Sequence, residues 1–240
     1  MVLGEIMVSV SDLSVDYVEF SRTRRNPLGK MRGIKALEGV TFSVDEGDII
    51  ALIGKNGAGK STLLKAIAGQ LRPSAGEIST SGRVILLSGV DPGFFHDATG
   101  RQNISELAGA YGIKTENIEE FGKSIIEFAS LGPAIDRNVR GYSTGMRGKL
   151  GFGFMTALSP DLLLIDETLG VGDAEFRKKA QERLRGFIEG SRSVIISTHS
   201  LGLAKEICNR GLVLDSGKLQ FDGEIEEALA KYRGIVGQSG

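Results

Sequence analysis

Hydrophobic and polar positions alternate along the first part of the chain in the manner of half-buried strands. The alternation covers residues 6–15 and again residues 36–44, after which a polar turn ends the second predicted strand. Three short apolar runs are typical instead of strands that are buried on both faces of a parallel sheet. These runs are residues 48–53, 162–165 and 194–196.

Apolar residues at helical spacing lie between the second and the third run. They are Phe176, Ala180, Leu184, Phe187 and Ile188. Strand, helix and strand make a βαβ unit, which predicts an α/β core. Residues 99–157 show only helical spacing and are interpreted as a helical insertion in that core. The last predicted elements are a hairpin over residues 212–221 and a helix over residues 225–232.

A glycine-rich segment directly after the first run matches the phosphate-binding pattern G-x-x-x-x-G-K-[ST] in full. Its glycines let backbone N–H groups curl around phosphates, and the following helix adds the partial positive charge of its N-terminus. Lys60 can reach the β- and γ-phosphates of a nucleoside triphosphate, and the Ser61 hydroxyl can ligate Mg²⁺. The predicted nucleotide-binding residues here are Gly54, Asn56, Gly57, Gly59, Lys60, Ser61 and Thr62.

Two acids, Asp166 and Glu167, follow the second apolar run. The carboxyl ends of parallel strands form the edge of a sheet where ligands bind. We therefore predict that Asp166 holds Mg²⁺, directly or through water, and that Glu167 activates the attacking water. An acidic pair at a strand end is a weak signal by itself, and the phosphate loop strengthens it.

His199 follows the third apolar run, which we expect to neighbour the acidic strand. Its ring could then hydrogen-bond the γ-phosphate, so we predict a catalytic rather than a structural role. His96 has no such context and is interpreted as a loop residue.

A further predicted helix begins near Ser143. Ser143 can cap this helix, and Gly145 permits close approach of a ligand to its positive end, beside Met146. The segment is either a second anion site or simply a capped helix, and local physics does not choose between the two.

Composition and charge narrow the class of protein. The net charge of −1 over 240 residues offers no field that would draw the chain to nucleic acid. Residues 21–33 are basic without an acid, and a solvated loop is favoured there over contact with an anionic partner. The single cysteine, Cys208, fits a reducing compartment. Without a leader sequence or a bilayer-spanning apolar run, we expect a cytoplasmic protein that needs partner subunits for any membrane role.

The motifs, in this order and at these spacings, resemble those of the ATP-binding subunits of ABC transporters over nearly the whole chain. Three segments are similar to the family's Walker A, signature and Walker B motifs: residues 54–62, 143–146 and 161–167. His199 matches the switch histidine, and Asp173 matches the acid of the D-loop. Tyr17 lies where the family stacks an aromatic ring on adenine.

The resemblance implies a fold. It is a P-loop NTPase (RecA-like) core with an antiparallel β-subdomain and an inserted α-helical subdomain, in one ABC-type domain over residues 1–240. The core with its β-subdomain would take residues 1–98 and 158–240. The helical subdomain would take residues 99–157.

The resemblance also implies a mechanism with ATP and Mg²⁺. Two copies would bind head to tail and sandwich two ATP molecules, so that Ser143, Gly145 and Met146 of one copy face the nucleotide of the other. ATP would close this homodimer and hydrolysis would reopen it. The motion would be passed to two integral-membrane subunits at the cytoplasmic face of the inner membrane.

Departures from the general family pattern indicate which subgroup of the family the sequence resembles. The signature has Thr144 and Met146 where the family usually has Gly and Gln, and the Q-loop glutamine is missing, with Val90 nearest its position. Residues 93–103 and 142–147 are similar to segments of bacterial surface-polysaccharide exporters. We therefore expect an ATPase that powers export of a lipid-linked polysaccharide, with O-antigen first and capsule or teichoic acid as alternatives.

Two other functions are considered. Soluble ABC ATPases of DNA repair or translation usually fuse two ATP-binding halves or insert a long coiled coil, and this sequence shows one half and no heptad stretch. The neutral net charge also argues against a nucleic-acid partner. An ABC subunit for small solutes is disfavoured by the missing Q-loop glutamine and by Met146.

Overall fold

The computed structural model describes residues 5–23, 26–88, 91–166 and 174–237. The strands in this part of the chain are β1 (Ile6–Thr23), β2 (Asn26–Asp45), β3 (Ile49–Ile53), β4 (Ala75–Thr80), β5 (Val84–Ser88), β6 (Leu162–Asp166), β7 (Ser193–Ser197), β8 (Arg210–Asp215) and β9 (Lys218–Glu224). The α-helices are α1 (Lys60–Ile67), α2 (Gly100–Ala110), α3 (Ile118–Ala129), α4 (Thr144–Met155), α5 (Ala174–Glu189), α6 (Leu201–Ile207) and α7 (Ile225–Gly237).

The chain divides into two compact units. The first contains residues 1–86, 160–167 and 191–240, and the second contains residues 87–159 and 168–190. The predicted helical segment, residues 99–157, falls within the second unit. That unit also takes α5, and the subdomain boundaries drawn from the sequence stay a prediction.

Two sheets form the first unit. One is antiparallel, with the order β2-β1-β4, and the register Val8↔Val44 and Val10↔Phe42 turns the apolar positions of the predicted alternation to the core. The other has the order β5-β6-β7-β3-β8-β9. In it β6, β7, β3 and β8 pair in parallel, and β9 returns antiparallel to β8. Together these sheets and the flanking helices confirm the predicted α/β fold.

The apolar runs predicted as buried strands are the centre of the six-stranded sheet. Every residue of β7 is buried, and so are residues 162–165 of β6. One face packs in a core with β1, β2 and α1, and the other packs against α6 and α7. Because the sheet is covered on both faces, its strands are apolar without alternation.

An aromatic cluster forms the core of the second unit. Phe128 stacks on Phe152, and Phe176 meets both rings edge to face at centroid distances of 5.4 and 6.3 Å. Lys179 of α5 donates to the backbone oxygen of Phe128 at 3.0 Å, near the end of α3. Helices α3, α4 and α5 are therefore tied together within this unit.

The interpretation of residues 21–33 as a loop is wrong. Residues 21–23 belong to β1 and residues 26–33 to β2, with the register Ser21↔Lys30. An antiparallel pair is held by its backbone hydrogen bonds, which basic side chains do not prevent. Strands β4 and β5 and the short helix α6 were not predicted from the sequence.

In the described part of the chain, no helix combines the length and the apolar character that crossing a bilayer requires.

Candidate functional site

The predicted phosphate loop is the connection between the end of β3 at Ile53 and the start of α1 at Lys60. The strand lies in the middle of the six-stranded sheet, between β7 and β8. Gly59 is the N-cap of α1 with φ of 105°, a left-handed conformation that favours glycine. A Cβ atom on Gly54 would come within 2.4 Å of the Leu214 carbonyl oxygen, so the loop needs glycine there for space.

Lys60 is the buried cation of this loop. It is 7% exposed, and its Nζ donates to the backbone oxygens of Gly54 at 2.7 Å and Lys55 at 3.1 Å. These bonds hold the ammonium group inside the curve of the loop. Because Gly59 has no side chain, the N-cap of α1 makes no side-chain hydrogen bond to the N–H groups of the first turn. This arrangement suits a phosphate group.

Ser61 and Asp166 meet although 105 residues separate them in the sequence. The Ser61 hydroxyl donates to Asp166 Oδ1 at 3.0 Å, which joins the start of α1 to the carboxyl end of β6. A hydroxyl and a carboxylate are hard oxygen ligands of the kind that Mg²⁺ takes beside the phosphates of a nucleotide. The two residues predicted to hold Mg²⁺ are therefore brought together and fit that ion.

Tyr17 lies beside the same loop. It is 40% exposed, and its hydroxyl is 3.4 Å from Thr62 Oγ1, at the start of α1. The structure thus places an accessible aromatic ring near the phosphate-binding turn, and its stacking on adenine stays a prediction. Asn56 and Gly57 are exposed on the loop itself.

His199 follows the carboxyl end of β7, and its side chain is exposed. The predicted adjacency of strands is confirmed, since Asp166 of β6 pairs with Ser197 of β7 in parallel register. His199 is therefore two residues beyond the partner of Asp166. His96 lies in a loop, where its backbone oxygen accepts from Arg140 N at 2.9 Å.

The signature segment belongs to the second unit. Ser143 is the N-cap of α4, and its Oγ accepts from Met146 N at 3.2 Å. A Cβ on Gly145 would meet only Ser143 Oγ, at 3.9 Å, so the first turn of α4 is open to an approaching group. The helix is thus capped as one interpretation expected, and an anion site in the same place stays a prediction.

Tyr142 fixes the residue before that cap. It is buried, and its hydroxyl donates to the Ala134 backbone oxygen at 2.7 Å. Burial raises the pKa of Tyr142, so the hydroxyl stays a donor at neutral pH. The buried Tyr142 therefore holds the start of α4 in place, while Ser143 remains exposed.

Three predicted positions lie outside the described residues. They are Glu167, Asp173 and Val90. Their roles as general base, D-loop acid and occupant of the Q-loop position stay predictions.

Asn103 organises the loop before α2, a role that the sequence analysis did not assign. It is fully buried, and its Oδ1 accepts from Phe95 N at 2.7 Å while its Nδ2 donates to the oxygens of Phe95 and Thr99. Thr99 and Gln102 form a capping box at the start of α2. The pattern T-x-x-Q in the sequence could have predicted that helix start.

Comparison with known proteins agrees with this geometry. Residues 37–170 match the protein family described as ABC transporter. The O-antigen export system ATP-binding protein RfbB of Klebsiella pneumoniae is 37% identical over 214 residues, which are 89% of this chain and 87% of that protein. The teichoic acids export ATP-binding protein TagH of Staphylococcus haemolyticus is 33% identical, over 95% of this chain and 88% of that protein.

Solved structures resemble the fold over most of the chain. An ATP-binding subunit of an ABC transporter has a TM-score of 0.71 and 26% identity, covering 95% of this chain and 93% of that one. A dimeric ATP-binding cassette in a post-hydrolysis state, bound to ADP and phosphate, has a TM-score of 0.70 and 17% identity, covering 91% and 99%. The second likeness concerns the fold alone.

Proposed function

Because the chain belongs to the ABC transporter family, whose ATP-binding domain it carries, we propose that it powers export of a lipid-linked polysaccharide across the cytoplasmic membrane. The transported glycan would be O-antigen first, with capsule or teichoic acid as alternatives. Relatives named for O-antigen export and for teichoic acid export, each matched over most of its length, support this class of substrate.

The observation that carries the ATPase chemistry is the meeting of Lys60, Ser61 and Asp166 at one edge of the sheet. Lys60 and the first-turn amides of α1 hold the β- and γ-phosphates of ATP. Ser61 and Asp166 hold Mg²⁺, which when bound neutralises phosphate charge. Tyr17 supports the adenine ring.

Hydrolysis breaks the bond between the γ-phosphorus and the β–γ bridging oxygen. Glu167 accepts a proton from water as the water oxygen attacks the γ-phosphorus, and ADP leaves with the bridging oxygen. His199 donates a hydrogen bond to the γ-phosphate and so stabilises the charge on its oxygens. These roles extend the family's activity to particular residues of this chain.

The signature segment of one copy of the chain acts on the nucleotide that a second copy binds. In the proposed head-to-tail homodimer, Ser143, Gly145 and Met146 of one copy face the γ-phosphate held by the other, and Asp173 lies at the dimer interface. The open first turn of α4 supports this role. The dimer works with two integral-membrane subunits at the cytoplasmic face of the inner membrane.

The Glu167→Gln variant tests both parts of the proposal. It should bind ATP normally, hydrolyse it at least about 100-fold more slowly, and remain a dimer in ATP, because the amide cannot accept the proton. Normal turnover would refute the assignment of Glu167.

In the presence of ATP, the same variant should remain bound to its membrane partners. Purified from gently solubilised membranes, it should bring along a multi-spanning membrane protein and a lipid-linked saccharide, identified by mass spectrometry. The Lys60→Ala variant is the matched control and should bring neither. Recovery of ribosomes, nucleic acid or a solute-binding protein would overturn the export assignment and leave the ATPase intact.

A further inference from the structure

Ser197, the last residue of β7, has a buried hydroxyl that the proposed mechanism does not use. The residue is 1% exposed. Its Oγ has no hydrogen-bond partner, the one such buried side-chain atom in the part of the chain that the structure describes. A buried hydroxyl without a partner destabilises a fold, and the large majority of buried polar side-chain atoms in folded proteins have a hydrogen-bond partner.

Ser197 lies beside one of the proposed metal ligands, Asp166, in the strand register. Ser197 pairs in parallel register with Asp166 on one side and with Leu52 on the other. Side chains two residues apart share a face of the strand, so Ser197 is on the face of Ile195. Ile195 packs in the same core cluster as residues of α1, the helix whose Ser61 bonds to Asp166.

Ser193 provides a comparison on the same strand and the same face. It is also 1% exposed, and its hydroxyl donates to the Asp45 backbone oxygen at 2.9 Å. A buried serine in β7 can therefore find a protein partner where its role is structural. The neighbours of Ser197 on its face of the sheet are Leu52 and Ile195, which belong to the apolar core, and Asp166.

We propose that Ser197 is a positioning residue for the magnesium–nucleotide site. Its hydroxyl hydrogen-bonds to the Asp166 carboxylate, directly or through one water, and fixes the carboxylate's orientation when magnesium and nucleotide bind. Groups that orient metal ligands in this way commonly set metal affinity. The inference rests on the proposed role of Asp166 in holding the ion.

The test compares Ser197→Val with Ser197→Thr. Valine and threonine have nearly the same shape, so any difference between the two variants reports the hydroxyl rather than the added methyl group. Two quantities are measured: the MgCl₂ concentration at which binding of a non-hydrolysable ATP analogue reaches half its maximum, and the melting temperature of the nucleotide-free protein.

We expect Ser197→Val to need about tenfold more MgCl₂ than Ser197→Thr, the low end of the effect of losing such a partner. Without nucleotide, Ser197→Val should melt about 2–4 °C above Ser197→Thr, because it buries no unpaired hydroxyl. The control Ser193→Ala should melt lower than the native protein and keep the native MgCl₂ dependence.

Equal MgCl₂ dependence in Ser197→Val and Ser197→Thr would overturn the proposal. Asp166→Asn separates this failure from a failure of the metal site itself. If Asp166→Asn raises the MgCl₂ concentration needed for half-maximal binding and Ser197→Val does not, only the role of Ser197 is refuted. If neither variant changes it, the site assigned to Asp166 is wrong and Ser197 has no metal ligand to position.

Discussion

The two edges of the parallel sheet in the first unit are built differently. At the amino end of the strands, charged groups bond to one another: Arg192 donates to Glu46 and Glu5 at 2.8 and 2.7 Å. Arg210 similarly bonds to Asp48 and Asp222. At the carboxyl end lie a loop that curves around a buried lysine, a serine–carboxylate pair and an unpartnered hydroxyl on Ser197.

The difference supports the proposal that the carboxyl edge is the ligand site. Polar groups that hydrogen-bond to one another do not need a ligand as a partner. The arrangement of the amino edge is therefore explained by folding alone. The carboxyl edge gathers a cation, hard oxygen ligands and the N-terminus of a helix at the start of α1, which folding alone does not require. Changes at the two edges should therefore have different consequences for nucleotide binding.

Lys60→Ala at the carboxyl edge should have the largest effect. Losing a charged donor to the phosphates costs about 3 kcal/mol, so ATP affinity should fall about 100-fold by isothermal titration calorimetry. Lys65→Ala, on the same helix and half-buried, is the matched control and should bind as the native protein does. Unchanged affinity in Lys60→Ala would mean that the carboxyl edge is not the phosphate site.

Ser143→Ala asks whether the start of α4 behaves like the start of α1. Loss of a hydrogen bond to the γ-phosphate in the dimer should slow ATP hydrolysis about tenfold, and ATP affinity of the isolated chain should not change. The variant also loses an N-cap, about 1 kcal/mol of stability. Thr99→Ala removes the cap of α2 in the same unit and controls for that loss. Equal hydrolysis in both variants would show that Ser143 is only a cap.

Tyr17 tests how far the binding edge extends beyond the sheet. Tyr17→Ala should weaken ATP binding about fivefold, since losing an aromatic stack costs about 1 kcal/mol. Tyr17→Phe keeps the ring and loses the hydroxyl near Thr62, so it should bind close to normally. If both variants bind equally well, the ring does not contact the base.

Sequence patterns predicted the carboxyl edge better than its surroundings. The phosphate loop is a local pattern whose glycines and lysine require one conformation, and strands β6 and β7 are apolar because the sheet is covered on both faces. Their adjacency then follows from the βαβ rule. Patterns of this kind can be recognised in the sequence because they do not depend on distant partners in the fold.

The missed elements depend on distant partners. Strand β4 is almost wholly exposed, so it has no apolar alternation to detect, and it exists because β1 offers a free edge. The basic residues of β1 and β2 suggest a loop until the pairing of the two strands is known. Ser61 and Asp166 were both predicted from the sequence to hold Mg²⁺, and they meet in the fold. The orphaned Ser197 hydroxyl, in contrast, has no signature in sequence at all.

Arg192→Met at the amino edge should leave nucleotide binding unchanged and alter only the pH dependence of folding. Hydrogen bonds from Arg192 lower the pKa values of Glu5 and Glu46 below 4.5 in the folded protein. A carboxyl group whose pKa is lowered in the folded state stabilises the fold at any pH above its pKa in the unfolded state. That contribution is lost as the pH falls through the lowered pKa.

The native protein should therefore be slightly more stable than Arg192→Met at pH 7, and the difference in urea unfolding should shrink as the pH falls through the lowered pKa values of Glu5 and Glu46. The effect is small because these groups are exposed and solvent screens them. ATP binding measured on the same samples is the sharper readout. If Arg192→Met weakened it as Lys60→Ala should, the amino edge would be coupled to the ligand site and the contrast between the two edges would fail.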